Sequence, residues 1–214
     1  MKGLLITFEG IDFSGKTLQA GRFIRRLQRR GVPLLALRDP GATEISEKIR
    51  AILLDNRHRA MSPWTELLLY EAARAQMIEQ SIKPALAQGQ VVVCDRLYDS
   101  TTAYQGYGRQ LDLGLVAMAN RLGACGLIPD LTFLLDLSAR QAALRRQHRP
   151  GETDRMEGEG EVFQERVRQG YLRVAEGEPD RLRIIDAAGE IEAIEDVIWN
   201  NFIQKWPSLD SGQS

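Results

Sequence analysis

Short apolar runs alternate with longer segments of helical period along the chain. Leu4, Leu5 and Ile6, extended by Thr7 and Phe8, read as a buried strand. The same reading holds for Val91-Val92-Val93-Cys94, for LTFLLDL over 131–137, and for two shorter runs at 33–37 and 182–185. Between these runs the apolar positions recur every three or four residues. Phe23, Ile24 and Leu27 define a helix over about 16–30 that stops at Gly31. Its arginines, Arg25, Arg26, Arg29 and Arg30, form a solvated outer face. Ile45, Ile49, Ile52 and Leu53 define a second helix over 44–55, followed by an exposed connection at 57–61. Ser62 caps and Pro63 opens a long helix that runs to about Ala87. Further helices are predicted over 163–175, carrying Val167, Tyr171, Leu172 and Val174, and over 191–206. Segment 99–108 is rich in Ser, Thr, Tyr, Gln and Gly and reads as a polar pocket wall. Segment 140–155 is arginine-rich around Pro150-Gly151 and reads as a mobile loop. Five strands, each followed by a helical segment, predict an α/β fold with a parallel sheet covered on both faces. The pattern places one domain over 1–206 and a flexible tail over 207–214.

The turn after the first strand carries the chemistry. Gly10-Ile11-Asp12-Phe13-Ser14-Gly15-Lys16-Thr17 fits G-x-x-x-x-G-K-[ST], the P-loop, between a buried strand and a helix as the motif requires. Gly10 and Gly15 let the backbone curl so that its N–H groups face an anion. Lys16 brings a charge to the β- and γ-phosphates, and Thr17 offers a hydroxyl to Mg²⁺. The helix dipole points to the same place. Only five of the 28 basic residues are Lys, so a Lys at this position is informative. The strand ending in Asp95 has the pattern that puts a carboxylate beside Mg²⁺, with Arg96 at the same sheet edge. The loop from Arg38 to Thr43 gives a further polar site. An arginine-bearing segment over a phosphate site would act as a lid, here about 140–157.

Composition narrows the partners. A net charge of −1 over 214 residues argues against a broad nucleic-acid or membrane footprint. No apolar run reaches the roughly 18 residues of a membrane helix. Strand residues begin by Gly3, so no signal peptide is expected. Cys94 and Cys125 have no zinc or redox spacing and read as free thiols in a reducing, cytoplasmic setting. Two histidines make a histidine metal site unexpected. No N-K-x-D follows the P-loop, which excludes the guanine-reading pattern. A kinase using ATP is the reading that remains. The acceptor stays open among nucleosides and nucleoside monophosphates, and nucleotide binding without transfer is the reading from a different class.

FEGIDFSGKT, RDPGAT, LLLYEAARAQ, DRLYDSTTAYQG and Asp154-Arg155-Met156-Glu157, in this order, resemble the thymidylate kinase family from Gly3 to about Phe202. The resemblance implies a three-layer P-loop nucleoside monophosphate kinase fold with an arginine-bearing lid. It implies transfer of the ATP γ-phosphoryl group to dTMP with Mg²⁺, and a homodimer packed through helices. Tyr70 matches the ring that stacks on thymine, and Arg74 the group that reads the thymine edge. Arg96 matches the arginine on the dTMP phosphate. Arg38, Thr101 and Gln105 fall at pocket positions, and Tyr104 at the ring that crowds C2′ of the sugar. Asp12 matches the acid near acceptor and metal, while Thr17 and Asp95 would hold the metal. Ala187 and Ala188 match the loop behind adenine. Phe13 stands where some members carry Arg, so the resemblance assigns the missing charge to the lid. Arg149 and Arg155 are the first candidates, with Arg145 or Arg146 behind them. Asp39, Ala42 and Leu97 depart from the family pattern, and Ala42 would be strained if that position needs a positive φ.

Overall fold

The computed structural model describes residues 2–148 and 153–210. Five parallel strands are β1 (Leu4–Glu9), β2 (Leu34–Arg38), β3 (Val91–Asp95), β4 (Leu131–Asp136) and β5 (Leu182–Asp186). They lie in the order β2-β3-β1-β4-β5. Phe8 sits opposite both Asp95 on β3 and Phe133 on β4. The order departs in opposite directions from β1, so the P-loop leaves the carboxyl edge where such sheets form a crevice.

Helices α1 (Lys16–Gln28), α2 (Glu44–Leu54), α3 (Pro63–Met77), α4 (Lys83–Ala87), α5 (Tyr98–Thr101), α6 (Leu113–Gly123), α7 (Ala139–Gln147), α8 (Glu161–Gly177) and α9 (Ile191–Lys205) cover the sheet. The long helix expected from Ser62 to Ala87 is interrupted by a π turn at Ile78–Ile82. Ser62 Oγ accepts the Thr65 N–H at 3.1 Å, which explains its start. A second π segment, Thr102–Gly108, continues α5. The polar wall expected over 99–108 is therefore helical.

The two sheet faces hold different cores because side chains alternate along a strand. Leu4, Ile6 and Phe8 meet Phe23, Phe133 and Phe202, while Leu5, Val92 and Cys94 meet Met77, Ile78 and Ile82. Phe23 and Phe202 stack edge to face at 4.9 Å, an arrangement worth about 0.5–1.5 kcal/mol beyond area burial.

Two further helices were not legible in the apolar pattern. α6 begins at Asp112, whose Oδ1 accepts the Leu115 N–H at 2.9 Å, but its Leu113, Leu115, Met118 and Leu122 are exposed. Its amphipathic stripe is thereby blurred. α7 occupies the first half of the segment read as a mobile loop. It turns only small residues, Ala139 and Ala142, to the core, and so has no large apolar stripe.

The basic face of α1 is not simply solvated. Arg22 bonds Glu195, Arg26 bonds Asp196 at 2.8 Å and Arg30 bonds Asp210 at 3.0 Å. Arg26 and Arg30 also lie 4.7 and 4.3 Å from the Trp199 ring centroid. Asp210 accepts the Trp199 indole N–H at 3.1 Å, and Leu209 is buried. The tail expected to be free from 207 is thus docked through 210. Among the described residues no helix is long and apolar enough to cross a membrane.

Candidate active site

The P-loop geometry follows from its glycines. Gly10 has φ 142° and Gly15 has φ 94°. A Cβ on Gly10 would lie 2.6 Å from the Leu135 carbonyl oxygen, so both the conformation and the space demand glycine. Lys16 is buried, 3.7 Å from Asp12 Oδ1 and 3.5 Å from the Ile11 carbonyl. Burial, and then Arg96, pull the Lys16 ammonium below its usual pKa. An arriving phosphate would favour its charged form.

Thr17 Oγ1 donates to Asp95 Oδ2 at 2.5 Å. Asp95 Oδ1 is buried with no partner among the described residues. A hydroxyl beside a carboxylate with one unused oxygen fits Mg²⁺, a hard cation that takes few protein ligands and completes its shell with phosphates and water.

Arg96 sits at the centre of the crevice with φ 73°. Its Nη1 donates to the Gly10 carbonyl at 2.9 Å, to Tyr171 at 2.9 Å and to Ser100 at 3.1 Å. Its Nη2 donates to Asp12 Oδ1 at 2.6 Å and to Tyr104 at 3.0 Å. The Tyr104 hydroxyl also donates to Asp12 Oδ2 at 3.0 Å, and the Tyr104 ring lies 4.9 Å from the guanidinium carbon. Burial favours protonation of Asp12, but Arg96 and Lys16 outweigh it and hold the carboxyl low. Asp12, Lys16 and Arg96 therefore form one charged unit.

Arg74 is 1 % exposed and spends three nitrogens on the protein. Nε meets Asp39 Oδ2 at 2.5 Å, Nη1 meets Glu71 Oε1 at 2.6 Å and Nη2 meets Thr101 Oγ1 at 2.8 Å. Each terminal nitrogen keeps a second N–H, so a fixed fork is left for a ligand. Asp39, a departure from the family pattern, is one of the groups that orients it. Burial, followed by Glu66, pushes the Tyr70 phenol above its usual range, so the ring stays neutral.

Lys16, Thr17, Asp12, Phe13 and Gly15 share one cavity of about 590 Å³ with Asp95, Arg96, Arg38, Tyr70, Arg74, Thr101, Tyr104 and Gln105. The site residues read from the sequence are thus largely brought together. Arg38 forms the exposed rim, paired with Glu47 at 3.0 Å. Of the other P-loop residues, Ile11 is buried in the core and Ser14 is buried in the loop. Arg149 lies outside the described residues.

Arg155 is placed elsewhere. Its Nη1 meets Glu66 Oε2 at 2.5 Å and its Nε the Leu53 carbonyl at 2.7 Å, and it does not line the cavity. A buried carboxylate on α3 holds it away from the P-loop cavity. Arg145, the second-rank candidate, is the described arginine of the segment 140–157 that reaches the P-loop. It donates to the Ser14 carbonyl at 3.2 Å and to the Ala187 carbonyl at 2.7 Å. Ala187 is itself buried at the end of β5, and Arg145 ties it to the loop.

A profile described as Thymidylate kinase matches residues 8–198. The chain is 47% identical over 189 residues to the thymidylate kinase of Pelotomaculum thermopropionicum, covering 88% of this chain and 87% of that one. The chain belongs to the thymidylate kinase family. It is also 47% identical over 207 residues to the thymidylate kinase of Geobacter sulfurreducens, covering 92% and 97% of the two chains. The crystal structure of thymidylate kinase from Ehrlichia chaffeensis superimposes with a TM-score of 0.76 at 31% identity, covering 94% of this chain and 99% of that one. The P-loop nucleoside monophosphate kinase fold is accordingly shared.

Family membership gives the departures a physical reading. Ala42 has φ 71°, so the strain expected of a side chain there is present at roughly 1–2 kcal/mol. Its N–H is held by Glu47 Oε1 at 2.8 Å. Leu97 is fully buried and packs in the core with Leu5, Val92 and Cys94, away from the cavity wall. Several site residues escaped the sequence reading. Arg50 lines the cavity and donates to the Pro40 carbonyl at 2.9 Å. Glu9, Ser100 and Tyr171 stand behind Arg96. Glu9 did carry a signal, a charged residue closing an otherwise apolar strand; Tyr171, on distant α8, carried none.

Proposed function

We propose that this chain transfers the γ-phosphoryl group of ATP to dTMP, giving dTDP and ADP, with Lys16 on the donor and Arg96 on the acceptor phosphate. The single observation that carries the assignment is the shared cavity, which holds the P-loop, Arg96 and the Arg74–Thr101–Tyr70 group together. Two anionic nucleotides repel each other, so cations fixed along the line of transfer do most of the catalytic work. Arg96 brings its charge and its Nε–H to the phosphate oxygens, because its terminal N–H groups already meet protein acceptors. Thr17 and Asp95 would hold Mg²⁺, which neutralises charge on the transferring phosphates. Tyr70 supplies the face for the base, and the two spare N–H groups of Arg74 read its edge. Arg145, bridging the P-loop and Ala187, borders the adenine site.

ADP release from Mg·ATP with dTMP, dUMP, UMP, dCMP and no acceptor tests the assignment. Strong release with dTMP, weaker release with dUMP and little with the others is the expected order. The gap between dTMP and dUMP is modest, because one methyl in an apolar pocket is worth about 1–3 kcal/mol. Preference for another acceptor would overturn the pocket assignment.

Tyr104 should act as the sugar gate. Its hydroxyl is held between Asp12 and Arg96, so the ring cannot swing aside without breaking two bonds. Tyr104→Ala is expected to narrow the preference for dUMP over UMP by about tenfold, a loss of ~1.4 kcal/mol of discrimination. An unchanged ratio of kcat/KM for the two acceptors would remove that role.

The working unit in this reading is a homodimer in the cytoplasm, where Cys94 and Cys125 stay free thiols. α3 and α6 pack together and leave Leu68, Leu115, Met118 and Leu122 exposed. That apolar surface supports pairing through helices. A solution mass near twice 24.0 kDa by light scattering is the expected result, and a monomer would refute it.

A further inference from the structure

Behind Arg96 lies a second layer of polar groups, Glu9, Ser100 and Tyr171, of which Ser100 alone lines the cavity. Glu9, the last residue of β1, has no solvent exposure. Its Oε1 accepts the Leu97 N–H at 2.7 Å. Its Oε2 lies 2.6 Å from Ser100 Oγ and 2.8 Å from the Tyr171 hydroxyl, and those two oxygens are themselves 2.8 Å apart. Both hydroxyls also accept from Arg96 Nη1.

This triangle counts protons. Oxygen–oxygen separations of 2.6–2.8 Å are hydrogen-bond lengths, and each needs a hydrogen between the atoms. Ser100 and Tyr171 supply one hydrogen each, while their remaining lone pairs serve Arg96. Three sides and two hydroxyl hydrogens leave one side unfilled when Glu9 is ionised. A protonated Glu9 closes the ring, with each oxygen donating once and accepting once.

We infer that Glu9 is a positioning residue, which locks Arg96 through Ser100 and Tyr171 and carries a proton while dTMP is bound. The charged and titratable groups around it agree. Asp99 on α5 faces it, itself held by Arg181 at 2.7 Å. Arg96 approaches from the β3 edge and Lys16 from α1, and the Tyr98 phenol and Cys94 thiol stand nearby. Burial is the largest influence on Glu9 and Asp99 the next; together they outweigh Arg96 and push the carboxyl up to about 7. An ionised Glu9 would compete with the acceptor phosphate for the same guanidinium. A bound phosphate dianion therefore favours the protonated form further, and binding takes up a proton. The sign follows from linkage: affinity for dTMP falls as pH rises through the window above about 7.

The inference rests on Arg96 receiving the acceptor phosphate, and the test separates the two. Calorimetric titration with dTMP at about pH 8, in two buffers of different ionisation heat, reads proton uptake directly. The phosphate is already a dianion there, since its second pKa is about 6. Wild type should take up at least ~0.3 proton per dTMP, and its KM for dTMP should rise several-fold from about pH 7 to 9 while kcat moves less. Glu9→Gln can turn its carbonyl to Leu97 and its NH₂ to the two hydroxyls, reproducing the neutral acid. It should abolish the uptake, flatten KM against pH, and rescue most of the KM rise seen in Glu9→Ala. Tyr171→Phe opens the triangle without removing the carboxyl and should raise KM for dTMP more than it lowers kcat. Uptake that is absent in wild type, or unchanged in Glu9→Gln, overturns the inference and leaves Arg96 in place. Wild-type affinity for dTMP in Arg96→Ala would instead overturn the role of Arg96 itself.

Discussion

Arg96→Ala is expected to lower kcat/KM for dTMP by about 10³-fold and to raise the KM for ATP by a smaller factor. Removing one preorganised group that stabilises transition-state charge costs about 10²–10³ in rate. Arg96 does more than supply charge, because Asp12 and Tyr104 both bond to its Nη2. Its loss leaves Asp12 with Lys16 as its remaining cationic partner, at 3.7 Å, and that pairing draws the lysine away from the donor phosphates. Arg96→Lys should recover little, since an ammonium cannot reach the Gly10 carbonyl, Tyr171, Ser100, Tyr104 and Asp12 from one point. Steady-state kinetics with each substrate varied in turn checks both variants, with circular dichroism as the control for folding. A loss below about tenfold in Arg96→Ala would sink the acceptor-anchor role.

Glu66→Ala is expected to lower stability by about 3–5 kcal/mol, the range for removing one member of a buried ion pair. Glu66 is 1 % exposed and accepts from Arg109 at 3.0 Å, from Arg155 at 2.5 Å and from Gln105 at 2.8 Å. Arg109 keeps Glu159 as a second partner. Among the described residues Arg155 keeps only the Leu53 carbonyl as a side-chain partner, so it is the charge left stranded. For a chain of this size the loss corresponds to a fall in Tm of roughly 6–20 °C. Arg155→Met should recover part of it in the double variant, because the stranded charge is then gone. Thermal unfolding of the two single variants and the double variant measures the coupling. A shift under about 1 kcal/mol in Glu66→Ala would show that water reaches the pair. The same contacts tie Gln105 of the pocket to the segment around 153–159, so the KM for dTMP should rise as well.

The P-loop was legible because its chemistry is local. Two glycines, a lysine and a threonine within eight residues specify their own backbone, and the strand before them and helix after them confirm the context. Asp95, Arg96 and the strands of the sheet were legible for a related reason. A buried parallel strand is a short apolar run, and its carboxyl end is where function collects. α6 and α7 were less visible, since one exposes its large apolar residues and the other buries only alanines.

What the sequence by itself determined is the sheet, the P-loop and the kinase family; the residues proposed for the acceptor came through the family resemblance, and the fold brings most of them to one cavity. Only the tertiary structure decided which arginine goes where. Arg145, Arg149 and Arg155 sit within one charged stretch, and nothing in their spacing distinguishes them. Arg155 is claimed by Glu66, which lies 89 positions away in the chain, and Arg145 by the P-loop and Ala187 carbonyls. Glu9 meets Tyr171 across 162 positions. A guanidinium or carboxylate can take many partners at similar energy in water. Its choice is fixed only when folding buries it beside one of them, where leaving the group unpaired becomes costly.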